Sequence, residues 1–454
     1  MNNRDEIHIG IISLGCAKNQ VDAEVMAGAL TEAGYGITPD PAEAQVILVN
    51  TCGFIDEAKQ EAIDTILEMA EYKKTGVCQA LLVTGCLAQR YFTEIQESLP
   101  EVDGIIGIGG FKSICQAVSE VLEKGTYRNC EEDLSLAYLS GSRILFSPEG
   151  SAYLKIAEGC DNRCHYCAIP GIRGPFRSRP MEELVREAER LAAQGVKELV
   201  LIAQDTTRYG KDLYGEPKLA ELIRQLNQIR EFEWIRVLYL YPDEITEQLI
   251  DTIKECDKVV PYVDLPIQHI CTGLLRKMNR RGSGEELRRI FSEFRARIPN
   301  VVIRTSLIIG YPGETEEDFR ELMEFVQQTR FDRMGIFKYS REENTVAAAM
   351  EPQVEESVKE QRYEALMELQ RRISRENNEK RVGCIYRTLV EGVDQDGIFY
   401  IGRTYAEGPE VDGNVYFTSP EPLEPGEMAE VRILIAEDYD LTGEAVIQEK
   451  GLEE

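Results

Sequence analysis

Histidine and tryptophan are scarce in this 454-residue chain, with three histidines (His8, His165, His269) and one tryptophan. Three imidazoles are too few for a histidine-built metal centre. Any metal here is therefore held mainly by thiolate, which favours iron–sulfur clusters or structural zinc. Long apolar runs are also missing. None approaches the roughly 18–20 residues of a membrane span, so no membrane partner is expected. The opening MNNRDEIHIG lacks the basic and then apolar layout of a secretory signal. A cytoplasmic protein is the expectation. Basic residues are in deficit: 51 Lys and Arg against 80 Asp and Glu leave a net charge of −29. A surface this acidic repels phosphate backbones, which disfavours direct nucleic-acid binding, although acidity also serves plain solubility. A phosphate-binding loop is lacking too. GIIGIGG (104–110) has the glycines without a following GK[ST], and reads as a turn.

Cysteine, by contrast, is plentiful. Twelve cysteines without an export signal argue against a disulfide framework, because the cytosol keeps thiols reduced; metal binding or catalysis is the better reading. The length allows roughly three domains, and a hydrophobic content of 43% is enough to give each a core.

Between residues 7 and 125, short β-branched runs alternate with amphipathic stretches. IHIGIISL (7–14), AQVILVN (44–50) and QALLVTG (79–85) read as buried parallel strands, and 21–34 and 55–72 as helices between them, a doubly wound α/β pattern. Residues 129–150 show no sustained periodicity and read as a linker. From 151 to about 340, six strand candidates (152–157, 197–203, 234–240, 259–265, 301–310 and 333–339) alternate with helical stretches such as 181–195 and 314–328. Six β/α units suit an open partial barrel better than a closed eightfold one. Residues 354–380 form a charged connector helix. After 381 the period becomes two: CIYRTLVE, GIFYIGR, NVYFTS and AEVRILIAE are short strands divided by turns. They imply a small antiparallel β-barrel of the OB-like kind. The expected fold is α/β, with spans 1–128, 129–150 (linker), 151–380 and 381–454.

The strongest chemical signal is Cys160-Asp-Asn-Arg-Cys164-His-Tyr-Cys167. Three thiolates in this spacing can hold three irons of a cubic 4Fe–4S cluster, and no fourth cysteine follows nearby. The open iron can chelate S-adenosylmethionine, and one electron then cleaves the sulfonium to a 5′-deoxyadenosyl radical. The loop follows the strand at 152–157, at the end where barrel active sites lie. Structural zinc would instead call for paired half-sites and four closed ligands. A second set is dispersed. Cys16, Cys52 and Cys86 each follow a predicted strand, and the ends of parallel strands share one ligand-binding edge. Three thiolates meeting there imply a second cluster, again with an open iron. Cys78 precedes its strand and falls at the wrong end, and Cys115, Cys130, Cys256, Cys271 and Cys384 lack partners at ligand spacing and read as packing.

With both triads placed, the chain resembles the methylthiotransferase family of the radical-SAM superfamily over nearly its whole length. GCAKNQVDAE (15–24), NTCGFI (50–55) and TGCLAQRY (84–91) are similar to that family's N-terminal cluster domain. AEGCDNRCHYCAIPGIRGPFRSR (157–179) is similar to its radical-SAM core, and the last 70 or so residues lie where the family carries a TRAM domain. QDTTRYGKDLYG (204–215) and EDYDLTG (437–443), with GCAKNQVD and NTCGFID, resemble the branch acting on an aspartate of small-subunit ribosomal protein S-twelve rather than the branch acting on transfer-RNA adenosine. Charge argues the same way: residues 380–454 carry 6 basic against 17 acidic side chains, a net of −11. That suits a basic protein partner and not transfer RNA.

The resemblance implies two 4Fe–4S clusters, S-adenosylmethionine, the ribosomal protein as substrate and an electron-donor protein. Sulfur would reside at the cluster on Cys16, Cys52 and Cys86, and the radical would arise at the one on Cys160, Cys164 and Cys167. Glu158, Gln204, Asp205 and His269 lie at or near predicted strand ends and are candidates for catalytic roles. SLIIGYPGET (306–315) resembles a glycine motif lining the S-adenosylmethionine pocket, which makes Gly310, Gly313 and Glu314 candidates for cofactor binding. Two other readings stand beside this one: a transfer-RNA methylthiotransferase, and a non-catalytic RNA- or ribosome-binding protein with structural zinc.

Overall fold

The early apolar runs become parallel strands because they are buried on both faces. In a computed structural model that describes residues 6–130 and 135–446, six strands run β1 (His8–Ser13), β2 (Gly36–Thr38), β3 (Val46–Thr51), β4 (Ala80–Gly85), β5 (Gly104–Ile106) and β6 (Tyr127–Asn129). Positions 131–134 of the expected linker, and the ends 1–5 and 447–454 of the outer spans, lie outside the described residues. The sheet order is β2-β1-β3-β4-β5-β6, all parallel, and every residue of β3 and β4 is buried. Helix α1 (Ala17–Glu32) packs one face through Ala23, Met26 and Leu30, while α2 (Asp56–Thr75) covers the other through Ala62, Ile66 and Met69. Two short helices matter later: α3 (Cys86–Arg90) and α4 (Ile169–Arg173).

Part of GIIGIGG is a strand and not a turn. Gly104–Ile106 forms β5, followed by a 3-10 turn at Ile108–Ser113. A Cβ on Gly104 would lie 2.6 Å from Leu82 Cγ, so glycine lets β5 approach β4. The expected linker is bound along α1: Tyr138 donates to Asp22 (2.9 Å), Arg143 pairs with Glu24 (2.5 Å), and Ser142 donates to Glu32 (2.6 Å).

The chain divides into two compact units. One contains the residues up to Phe146, with Ala157–Arg179 and Ser340–Ala348; the other contains Ser147–Ile156, Pro180–Tyr339 and the chain from Ala349 onward. The second unit is built on six parallel strands, β7 (Ser151–Lys155), β8 (Glu198–Ile202), β9 (Trp234–Val237), β10 (Tyr262–Asp264), β11 (Val302–Ile309) and β12 (Arg333–Lys338). They pair as β9-β8-β7 and β10-β11-β12, and a parallel bridge between Ile235 and Val259 joins the halves. This is the open six-unit β/α arrangement. Helix α5 (Glu356–Glu379) follows.

The C-terminal barrel is closed, from β13 (Ile385–Val393), β14 (Tyr400–Arg403), β15 (Val415–Thr418), β16 (Met428–Ala436) and β17 (Leu441–Ala445), in the order β13-β14-β15-β17-β16. Two expectations change. A fifth strand, β17, completes the barrel, and it pairs in parallel with β15 while the other four pairings are antiparallel. Because β17 turns back on β16 before inserting beside β15, it runs in the direction of β15. Val390, Val415, Phe417, Val431 and Ile433 fill the interior. Buried ions anchor this barrel within its unit: Glu198 accepts from Arg236 and Arg403 at 2.7 Å each, and Glu407 from Arg333 (2.7 Å) and Arg381.

Candidate metal centre

The dispersed cysteines sit at the carboxyl ends of three adjacent strands. Cys16 follows β1 and caps α1, Cys52 follows β3, and Cys86 follows β4 and opens α3. Parallel register carries all three to one edge. Gly15, at φ +91°, makes the approach possible: a Cβ there would lie 2.6 Å from Cys52 Cβ and 3.1 Å from its Sγ. A Cβ on Gly53 would meet Leu87 Cα at 2.8 Å and the Cys86 carbonyl carbon at 3.1 Å. Cys52 thus lies between Cys16 and Cys86. Asn19 ties the three together. Its Nδ2 donates to the carbonyls of Leu14 (3.0 Å) and Thr51 (2.9 Å), just ahead of Cys16 and Cys52, while its Oδ1 accepts from Cys86 Sγ at 3.6 Å.

The charges around these thiols differ. Burial, with the neighbouring Cys86 and Cys16, pushes the Cys52 thiol up to about 12 against the Phe54 amide and Arg173. Burial also raises Cys86, opposed by Arg173. The residue surface of Cys16 is exposed, yet protein atoms crowd its sulfur, which would raise the thiol. The charges of Lys18 and Arg173 and the amides of Asn19 and Lys18 outweigh that and hold it below its ordinary value.

Cys160, Cys164 and Cys167 lie in a loop between the short strand Ala157–Glu158 and α4, all half-buried. Gly159 (φ +77°) admits no side chain, since a Cβ would lie 2.1 Å from the Pro175 carbonyl. The Cys160 amide donates to Gly174 O (3.1 Å) and the Cys167 amide to Cys164 O (3.0 Å), closing the loop. The backbone of Ala347 clips it by donating to His165 O at 2.9 Å. Both triads belong to the first unit. Among the described residues no three His, Cys, Asp or Glu side chains converge on a single ion. A cubic cluster does not require that, because each thiolate takes its own iron. Two sets of three thiols, each on backbone shaped by a left-handed glycine, fit two such clusters in donor chemistry.

The remaining candidates divide between the two units. Glu158 is in the first unit, 1% exposed. Its Oε2 accepts from Arg173 Nη1 at 2.6 Å and its Oε1 from the Gly159 amide at 3.0 Å, so the carboxylate is engaged in structure. Gln204, Asp205, His269, Gly310, Gly313 and Glu314 belong to the second unit. Asp205 is fully buried and accepts from the Thr207 hydroxyl. Gln204 is half-buried. His269 is fully buried; its Nδ1 accepts the Cys271 amide at 3.0 Å, which leaves the proton on Nε2, a buried nitrogen without a hydrogen-bond partner. Desolvation holds this imidazole down at about 4, assisted by Arg362 and opposed by Asp318. Gly310 and Gly313 take positive φ (+71° and +74°) in a turn closed by Glu314, whose Oε2 accepts the amides of Gly310 (2.5 Å) and Tyr311 (3.1 Å). Glu314 Oε1 pairs with Arg362 at 2.9 Å, and burial pushes the carboxyl up to about 7 against that cation. His269 and Glu314 thus share the field of Arg362.

The sequence reading missed Arg173, Asn19 and Asp22. Arg173 is 1% exposed and donates to Asp22 Oδ2 (3.1 Å), Glu158 Oε2 (2.6 Å) and Asn19 Oδ1 (2.5 Å). All three lie inside segments that carry the family likeness, but nothing in spacing separates a buried arginine from a solvated one.

Comparison with known proteins gives three family matches. Residues 8–107 match Uncharacterized protein family UPF0004, 154–326 the Radical SAM superfamily, and 382–446 the TRAM domain. Among solved structures, the radical S-adenosylmethionine methyltransferase TsrM from Kitasatospora setae, with cobalamin and a [4Fe-4S] cluster bound, superposes with a TM-score of 0.52 at 15% identity. The match covers 73% of this chain and 72% of that one, a likeness of fold. Curated relatives include the ribosomal protein uS12 methylthiotransferase RimO of Acetivibrio thermocellus, 54% identical over 445 residues, spanning 96% of this chain and 98% of the relative. The protein of the same name from Pelotomaculum thermopropionicum is 51% identical, spanning 97% and 100%. At this identity and coverage, the chain belongs to the family of ribosomal protein uS12 methylthiotransferases.

Proposed function

We propose that this protein is a radical S-adenosylmethionine methylthiotransferase that adds a methylthio group to the β-carbon of an aspartate in ribosomal protein uS12. The observation that carries the reading is the meeting of Cys16, Cys52 and Cys86 at one sheet edge, in the same unit as the Cys160–Cys167 loop. The uS12-specific names of the relatives support the substrate, and the −11 charge of residues 380–454 supports a basic protein partner. On this reading the chain works as a cluster domain (1–128), a linker (129–150), a radical-SAM core with connector helix (151–380) and a TRAM barrel (381–454). The setting is the cytoplasm, an electron-donor protein is the redox partner, and nucleic acid is not bound directly. Among the described residues, no helix is long and apolar enough to cross a membrane.

Cys16, Cys52 and Cys86 would hold one 4Fe–4S cluster, and Cys160, Cys164 and Cys167 the other, with S-adenosylmethionine at its open iron. When bound, the clusters supply the electron that cleaves S-adenosylmethionine to a hydrogen-abstracting radical, and the sulfur that is transferred. The protein contributes position and charge. Lys18 and Arg173 favour the thiolate of Cys16. Glu158, tied to Arg173 and to the Gly159 amide, fixes the start of the radical loop. Gly310 and Gly313, folded by Glu314, shape a cofactor-lining turn. Gln204, Asp205 and His269 are the polar groups offered to cofactor or substrate, and His269 brings a buried Nε2 donor.

The test is anaerobic reconstitution followed by incubation with S-adenosylmethionine, reductant, sulfide and purified uS12. About eight irons per chain and a methylthio-aspartate peptide are expected. Replacing Cys16, Cys52 and Cys86 together by alanine should halve the iron and abolish methylthiolation while 5′-deoxyadenosine still forms. Full iron in that variant would contradict the first-triad assignment. Modification of transfer RNA in place of uS12 would contradict the substrate.

A further inference from the structure

The first cysteine triad is not held by its own domain alone. Arg173 comes from α4, the helix that ends the second cysteine loop, yet its guanidinium lies in the first triad's surroundings. Its Nη2 donates to Asn19 Oδ1, the same oxygen that receives Cys86 Sγ, while Asn19 Nδ2 holds the chain ahead of Cys16 and Cys52. Its Nη1 is shared by Asp22 and Glu158; Asp22 Oδ1 in turn takes the Tyr138 hydroxyl at 2.9 Å. The Arg173 charge acts on all three thiols. A guanidinium this buried has been stripped of water, and such desolvation is tolerated only where anions and acceptors surround it. Asp22 and Glu158 are two such anions, and Asn19 Oδ1 is the acceptor beside them.

We propose that Arg173 is the positioning residue of the first triad. It is a cation supplied by the second cysteine loop that fixes Asn19 and sets a buried positive charge against the thiolates of Cys16, Cys52 and Cys86. The proposal rests on the two-cluster reading above. Three thiolates around an iron–sulfur core carry net negative charge, and on the triad's buried side, at Cys86, that charge needs a nearby cation. Lysine would keep the charge but not the fork that reaches Asn19, Asp22 and Glu158 together.

The test isolates the first triad by working in a background in which Cys160, Cys164 and Cys167 are all alanine. That background protein is expected to keep about half the iron of the full enzyme. If it keeps none, the two-cluster reading fails, independently of Arg173. Adding Arg173→Met should then remove most of the remaining iron and move the midpoint potential of whatever cluster remains to more negative values. Arg173→Lys should give intermediate iron. Because Arg173→Met removes the cation that Asp22 and Glu158 share, Arg173→Met with Glu158→Gln removes cation and anion together, preserving the fold by circular dichroism, and should show the same iron loss. A folded double variant that retains the background's iron and midpoint potential would overturn the proposal while leaving the triad assignment in place.

Discussion

Replacing Glu198 by alanine tests how the C-terminal barrel is kept on its unit. Glu198 is fully buried and accepts from Arg236 Nε and Arg403 Nη2, each at 2.7 Å, with the Ser151 hydroxyl at 3.4 Å. The substitution strands two guanidiniums whose side chains are at most 1% exposed. Losing one partner of a buried ion pair costs about 3–5 kcal/mol. Here the lower end applies, because each arginine keeps other contacts. Arg236 retains the Tyr405 carbonyl (2.9 Å) and the Tyr262 ring (4.5 Å), and Arg403 retains Glu391 (2.7 Å) and the Glu407 carbonyl (3.0 Å). At about 2–4 °C per kcal/mol for a domain of this size, a loss of about 3 kcal/mol lowers Tm by roughly 6–12 °C. Calorimetry of the wild type and Glu198→Ala reads this directly. The double variant Glu198→Ala with Arg403→Met should lose less than the sum of the single variants. A Tm drop below about 2 °C would refute the reasoning and mean that the pair is solvated.

Three further outcomes follow from the site. Cys164→Ala should abolish 5′-deoxyadenosine formation in a protein that remains folded, as read by chromatography of the quenched reaction; measurable product would sink the radical role of the loop. His269 is neutral when folded, with its pKa near 4, and takes up a proton near 6.5 when unfolded. Its contribution is therefore complete above pH 6.5 and is lost as pH falls toward 4. At pH 5 the loss is about 2 kcal/mol relative to pH 7.5, and denaturant unfolding of His269→Gln should lack that share of the acid sensitivity. Reversing Asp396, Glu421 and Glu444, all exposed on the C-terminal barrel, to lysine should slow uS12 methylthiolation most at low salt. An unchanged rate across ionic strength would assign recognition elsewhere.

The strands were legible where burial was two-sided. Val46–Thr51 and Ala80–Gly85 stand within two residues of their expected limits because a short apolar run closed by turn residues suits a strand buried on both faces. Three-residue strands such as Gly36–Thr38 and Tyr127–Asn129 left no pattern, since tertiary pairing and not periodicity makes them strands. Leu441–Ala445 escaped because its two buried positions are Leu441 and Gly443, and a glycine leaves no apolar alternation to read. At the site, the dispersed cysteines could be read because strand-end positions are equivalent in a parallel sheet. Arg173 could not be read, because its partners Asn19 and Asp22 lie more than 150 residues away and only folding brings them together. Glu314 showed its position but not its hydrogen bonds: its carboxylate accepts the amides of Gly310 and Tyr311 in its own turn.

The central claim is that this chain methylthiolates uS12, and mass spectrometry of uS12 tests it most directly. Ribosomes would be isolated from cells with the gene, cells without it, and cells complemented with the Cys16, Cys52 and Cys86 alanine variant. The account predicts one aspartate carrying a methylthio group only where the intact gene is present. An aspartate that is modified without the gene, or with the variant, would contradict it.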